Sequence, residues 1–428
     1  MLFRDISYLD EHFELRRGSV LVEGAVIAAI TDAPPSDYRG EIIDGTDRLL
    51  IPGFYNTHCH VPMTLLRGYG EGLPLQRWLN ERVFPFEERL TDEDVYYGSL
   101  VGIAEMLASG CVSFTDMYDH CESIAQAVVE TGIKANLSRG IVEFGGGGLY
   151  GSMRHAEAVS LIDRYHGASD NRIICEAAVH METTTNERVV RESAEFAKSR
   201  GLGVHIHLSE TKKEHDDCVN ARGVTPARYF EDCGLLDSRV TAAHCVWVTD
   251  EDIEILARHH VSAAHCPSSN MKLGSGVARL PELIERGVLV SLGTDGASSN
   301  NNLNMLEELH LMSMIHRGVR RDPELLPPSE TLKIATRNGA LAQGRQDCGL
   351  VKVGFRADLA VLRLDTPHMM PVHDPLTDVA FSAQSSDVAM TVVDGKIVYR
   401  DGVFAGFDVR DALNHAVKSA RRIADELG

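Results

Sequence analysis

Residues 54–60 read FYNTHCH, an apolar run that ends in two histidines two positions apart. On a strand, side chains at i and i+2 share a face, so His58 and His60 point to the same side. The same design recurs downstream: a short apolar run, a polar residue at its end, then a longer stretch with helical spacing. The later runs are CVSFTDM (111–117), IKANLSRG (133–140), RIICEAAVH (172–180), GVHIHLSE (203–210), VTAAHC (240–245), VSAAHCP (261–267) and VLVSLGTDG (288–296). Eight such units over roughly 300 residues predict a (β/α)8 TIM barrel, whose chemistry sits at the C-terminal ends of the strands. The run ends are His58 and His60, Asp116, Arg139, His180, His207, His244, His265 and Asp295.

The flanks have a different period. SVLVEGAVIAAI (19–30) is two β-rich runs broken at Glu23-Gly24. ADLAVLRLD (357–365) and MTVVDGKIVYRDGVF (390–404) repeat the pattern near the other end, with Asp394-Gly395 as a hairpin signal. Val409, Leu413, Val417, Ala420, Ile423 and Leu427 then fall at helical spacing behind Asp408, a candidate N-cap. The expected organisation is a catalytic barrel over 53–352. A small β-sandwich domain from 1–52 and 353–428 flanks it, closed by the C-terminal helix.

Composition narrows the partners. The 428 residues carry 42 Lys+Arg against 62 Asp+Glu, a net charge of −20. Phosphate backbones and anionic lipid surfaces need clustered cations, and none appears, so nucleic acid and membrane surfaces are not expected partners. No run reaches the roughly 18 apolar residues of a membrane helix. The opening MLFRDISYLDEHFELRRG is too polar for a signal peptide. Nine scattered Cys, never spaced CxxC, read as reduced thiols in a cytoplasmic protein. Oligomeric state is not written in the pattern, and a homo-oligomer stays open. The 19 His are the remaining oddity.

The HxH pair alone is a weak signal, because a second one stands at His205 and His207. The joint pattern is stronger. His58, His60, His207, His244 and Asp295 all stand at barrel strand ends, and three His with one Asp suit one divalent metal, zinc or alternatively iron or manganese, with a position left for water. RIICEAAVH has no Lys to bridge a second metal. His205, deeper on its strand, reads as structural, as do His259 and His260; His265 is a weaker candidate. Glu210, three after His207, could move a proton in a relay with His244 and Asp295. It could equally cap a helix beginning near Thr211.

PGFYNTHCH, HIHLSET, AAHCVWVTDEDI, HCPSSNMKLGSGVA and GTDGASSNNNLNMLEEL resemble the amidohydrolase superfamily. More narrowly, they are similar to the 5′-methylthioadenosine/S-adenosylhomocysteine deaminase family, over essentially the whole chain. The resemblance implies metal ligation by His58, His60, His207 and Asp295, with His244 beside the metal and its water. It implies that Glu210 contacts the purine and shuttles protons. In the stretch LLRGYGEGLPLQRWLNERVFPFEERLT (65–91) it implies that Trp78 lines the pocket and Glu87 binds the ribose hydroxyls. On residue type alone, those two read as a core aromatic and a solvated helix face. His180, Arg139 and Arg154 match further substrate-binding positions, the arginines suiting a substrate carboxylate. One departure stands out: His180 is followed by Met181-Glu182-Thr183-Thr184, where the family has a small residue and then Pro-Tyr-Thr. That alters the wall near the ribose and 5′ group.

The implied reaction is hydrolytic deamination of an adenosine-type nucleoside: S-adenosylhomocysteine, 5′-methylthioadenosine, 5′-deoxyadenosine or adenosine. The alternative is a free-base deaminase acting on guanine or a pyrimidine, or a triazine chlorohydrolase, with the same metal site. A metal-free scaffold is a third reading, disfavoured because every ligand position is filled.

Overall fold

The structure, a computed structural model, describes residues 1–34 and 37–428. Eight parallel strands form the barrel: β1 (Phe54–Cys59), β2 (Cys111–Tyr118), β3 (Lys134–Arg139), β4 (Ile173–Val179), β5 (Val204–Leu208), β6 (Val240–His244), β7 (Ser262–His265) and β8 (Leu289–Leu292). They pair in sequence order from β1 to β8. These strands are buried on both faces, which is why they read as continuous apolar runs rather than alternating ones. Side chains and strand-end amides complete the seam between β8 and β1. Thr57 Oγ1 donates to Leu292 O at 3.0 Å, Thr294 N to Asn56 Oδ1 at 3.1 Å and Asp295 N to His58 O at 2.9 Å.

Both flanks join one nine-stranded sheet. Its central seam pairs Arg48–Pro52 antiparallel with Leu359–Arg363, strands from opposite parts of the chain. The sheet coils until distant parts meet. Ala357 N donates to Ala25 O, and Ile27 N to Phe355 O, both at 2.9 Å. It encloses its own apolar core around Phe3, Ile6, Val20, Leu50, Val361 and Val392. The Asp394-Gly395 turn predicted from sequence lies between Val388–Val393 and Lys396–Arg400.

A buried ion cluster ties this sheet to the barrel floor. Lys134, at the start of β3 and 2 % exposed, sits 2.5 Å from Asp358 and 2.7 Å from Asp394. Tyr55 Oη also donates to Asp358, at 2.8 Å.

The terminal helix Val409–Leu427 is capped by Asp408, whose side chain accepts from the amides of Arg410 and Asp411. It does not close the small sheet as expected. It packs on the barrel helix Asp92–Ala108, where Arg422 Nη2 reaches Asp94 Oδ2 at 2.6 Å. Its buried residues are Ala412, Ala416 and Ile423, while Leu413 and Val417 are 38 % and 46 % exposed. Small alanines allow close approach of the two helices, so the contact face is turned away from the larger apolar residues.

All nine cysteines are buried and unpaired. Among the described residues, no helix is long and apolar enough to cross a membrane.

Candidate metal centre and active site

Four histidines from three strands, with Asp295 just past β8, converge at the C-terminal mouth of the barrel. Each imidazole has its Nδ1 tied to the protein. His58 Nδ1 meets His205 Nε2 at 2.9 Å, His60 Nδ1 donates to Met117 O at 2.7 Å, His207 Nδ1 to His180 O at 2.7 Å and His244 Nδ1 to Asn270 Oδ1 at 2.9 Å. That leaves the four Nε2 atoms for the centre. Buried partners of this kind fix ring orientation and tautomer in metal sites. The geometry therefore gives His205 a role that its depth on the strand concealed. It orients His58.

The donor atoms fall in two overlapping groups, His58–His207–His244 and His58–His60–Asp295, with members of each group within 4.8 Å of one another. His58 and His60 Nε2 each lie 3.3 Å from Asp295 Oδ1. His58 Nε2 is fully buried, and among the described residues it has no hydrogen-bond partner. Burial lowers the His58 pKa to about 4 and holds His207 well below its ordinary value, so both rings stay neutral, as ligands must be. A buried nitrogen without a partner, facing a carboxylate and three more imidazoles, fits a divalent cation. Asp295 is held in place by Ser269 Oγ at 2.6 Å on one oxygen and the Gly296 amide at 2.8 Å on the other.

The backbone is strained at these strand ends. His244, Cys245 and Asp295 have φ of 72°, 48° and 62°, the left-handed region that non-glycine residues avoid. Each costs about 1 kcal/mol or more, tolerated where a side chain must be aimed.

Glu210 is 3 % exposed, with Oε2 3.7 Å from His244 Nε2 and Oε1 3.5 Å from Ser275 Oγ. Burial pushes its carboxyl up to about 7, against the pull of His244. Burial opposes ionisation of His244, yet the charges of Glu210 and Asp295 raise its pKa above the ordinary value. Glu210 does not cap the following helix. Thr211 and Glu214 do so through a capping box, and Glu214 Oε2 also accepts from the Glu210 amide at 2.8 Å. Glu210's carboxyl is therefore turned into the site.

A cavity of about 280 Å³ opens above the centre, and its wall includes Trp78, Glu87, Tyr118, Arg154, His180 and Glu210. Trp78 is 5 % exposed, at the end of the short helix Leu75–Trp78. Glu87 lies beside Tyr118, and burial pushes its carboxyl up to about 8. His180 Nδ1 is 3.0 Å from Thr184 Oγ1. Arg154, 36 % exposed, stands at the rim, 3.6 Å from Asp119.

Arg139 is not on this wall. Its buried guanidinium is paired with Asp119 and Glu157, and it lines a separate surface cavity with Asp92 and His120. Its partner Asp119 also lines the main cavity, and the Arg139 charge acts on Glu87 in that wall. His265 also lies outside the cavity, against His316 Nε2 at 3.2 Å. Sequence reasoning missed Ser269 and Asn270, although the SSN of HCPSSNMK carried them, and missed Tyr118, the last residue of β2.

An amidohydrolase family model matches residues 49–398. A 5-methylthioadenosine/S-adenosylhomocysteine deaminase of Pelotomaculum thermopropionicum is 40% identical over 415 residues, covering 96% of this chain and 95% of its own. A 5′-deoxyadenosine deaminase of Methanothermobacter thermautotrophicus is 42% identical over 389 residues, covering 91% and 90%. Among solved structures, a zinc-bound adenosine deaminase from Xanthomonas campestris superposes with a TM-score of 0.93 at 29% identity, covering 99% of this chain and 98% of that one. With its barrel, its strand-end donors and these relatives, the chain belongs to the amidohydrolase family.

Proposed function

We propose that this protein is a metal-dependent hydrolase that deaminates an adenosine-type nucleoside to the inosine-type product and ammonia. The observation that carries the reading is the placement of Glu210 and His244 beside the donor cluster, on the floor of a cavity whose wall presents Glu87. His58, His60, His207 and Asp295 would hold the metal, with zinc the choice that suits three imidazoles and a carboxylate. A divalent cation there supplies Lewis acidity and brings the ionisation of water into the neutral range.

The protein's own groups do the rest. Asp295 accepts a proton from the attacking water. Glu210, poised near neutrality by burial, donates a proton to the ring nitrogen beside the carbon that carries the amine. His244, its Nδ1–H held by Asn270, presents Nε2 to the charge that develops at that carbon. The oxygen of water replaces the amine, which leaves as ammonia with the remaining proton. Trp78 and His180 line the nucleoside cavity, Glu87 accepts from the ribose hydroxyls, and Arg154 at the rim faces a 5′ carboxylate where one is present. Catalysis falls to residues 53–352. Nine buried thiols without disulfides suit a reducing, cytoplasmic setting.

The test is ammonia release coupled to loss of adenine absorbance, using metal-loaded protein and the four nucleosides named above. Turnover of at least one is expected. Inertness toward all four refutes the substrate class.

A further inference from the structure

Glu182 belongs to no part of this mechanism, yet it is 1 % exposed and lies against Glu214, itself 3 % exposed. Glu214 Oε2 holds the amides of Glu210 and Thr211, at 2.8 and 3.3 Å. Among the described residues, no hydrogen-bond partner reaches Glu214 Oε1 or either carboxyl oxygen of Glu182. Arg222 is near but engaged elsewhere: its Nη2 lies 3.4 Å from the Glu182 backbone carbonyl and its guanidinium stacks over Tyr229. Among the described residues, the other titratable groups facing the pair are Cys218 on the same helix, Glu210, and His244 and Cys245 at the end of β6. None of them is a cation in contact.

Two ionised carboxylates cannot share a dry site at contact distance, but one proton between them makes a strong charge-assisted bond. Burial and the partner's charge both push the Glu182 carboxyl up, the direction this requires. The pair also joins the elements that form the pocket. Glu182 sits in the turn that carries His180 and Met181, both on the cavity wall. That turn is laced to the next loop, with His180 N donating to Ile141 O at 3.1 Å and Glu143 N to Thr184 O at 2.8 Å. On the far side, Glu214 sets the Glu210 amide.

We propose that Glu182 is a positioning residue for deamination: as a carboxylic acid it donates its proton to Glu214 Oε1, and this bond fixes Glu210 against the turn bearing His180 and Met181. The proposal rests on the deaminase reading for its effect on rate, but not for the shared proton.

The experiment compares metal-loaded wild type with Glu182→Gln and Glu182→Met. The glutamine amide can still donate to Glu214, so Glu182→Gln keeps kcat within about a factor of two. Glu182→Met fills the space without a donor, and its kcat falls roughly 10- to 100-fold, as for lost outer partners of catalytic groups, with a smaller change in KM. An infrared difference spectrum, wild type minus Glu182→Gln, shows a carboxylic-acid C=O band at neutral pH. The proposal is overturned if that band is absent, if Glu182→Met keeps wild-type kcat, or if Glu182→Gln loses as much as Glu182→Met. Where Glu182→Met fails to fold, the glutamine variant and the spectrum decide. If wild type turns over no nucleoside, the deaminase reading fails while the spectrum still judges the proton.

Discussion

Glu87 gives the sharpest test of the substrate, because its ionisation and its task conflict at neutral pH. Burial pushes its carboxyl up to about 8, with Tyr118, Arg139 and Arg154 opposing and Asp119 reinforcing. A ribose offers two neighbouring hydroxyl donors, and only the ionised carboxylate accepts both. With a raised pKa the group is mostly protonated below about 8. At pH 7 the free enzyme must therefore lose a proton before it can bind the sugar. One pH unit corresponds to about 1.4 kcal/mol, or roughly tenfold in affinity. KM for the best nucleoside should fall about tenfold between pH 7 and a plateau above 9. Glu87→Gln removes the ionisation, so its KM should be flat with pH. On the plateau, loss of the charge-assisted pair costs about 2–3 kcal/mol, a rise of roughly 30- to 150-fold in KM. The assay is loss of adenine absorbance, run in parallel on the 2′,3′-dideoxy nucleoside. That analogue has no diol, so its KM should ignore both pH and the substitution, which separates Glu87 from other groups that titrate nearby. An unchanged KM in Glu87→Gln for the best substrate refutes the ribose contact and favours a free base as the true substrate.

Three further outcomes follow from the geometry. Glu210→Gln should lower kcat about 100- to 10,000-fold, since it removes a general acid–base group, while metal content by elemental analysis stays stoichiometric. Substituting His205→Ala deprives His58 Nδ1 of its partner at 2.9 Å. Metal affinity, read by competition with a chelator, should weaken about 10- to 100-fold, and unchanged affinity would show that strand packing alone orients the ring. Lys134→Met leaves Asp358 and Asp394 buried without their shared cation. Urea unfolding should show a loss of about 3–5 kcal/mol, with kcat preserved because the cluster lies at the opposite end of the barrel from the donors.

The barrel was readable because each strand is a short apolar run buried on both faces and ended by a polar residue. The convergence of the candidate donors was readable for the same reason: an HxH pair on a strand must share a face, and strand ends must share a rim. The outer partners were hidden. Ser269, Asn270 and His205 act through contacts to residues far away in sequence, and nothing in their local pattern marks the contact. Sequence puts Arg139 at a strand end but does not reveal its neighbours, the carboxylates of Asp119 and Glu157 that pair with its guanidinium. For Glu210 the missing signal was present in Thr211-x-x-Glu214, a capping box that satisfies the helix start and frees the earlier acid for other work. The terminal helix was recognised by its period, but its contact face depends on how closely a partner approaches, and alanines decide that.

The seam between Arg48–Pro52 and Leu359–Arg363 has a consequence for synthesis. At about 5–20 residues per second, the ribosome needs tens of seconds to make the barrel between those two strands. Throughout that interval the first strands stand with an open edge at Arg48–Pro52, whose eventual cover has not been made. Such an edge invites pairing with other chains. Nascent protein should thus be most vulnerable to aggregation after the barrel has emerged and before Leu359–Arg363 arrives, and truncations ending just short of that strand should be the least soluble.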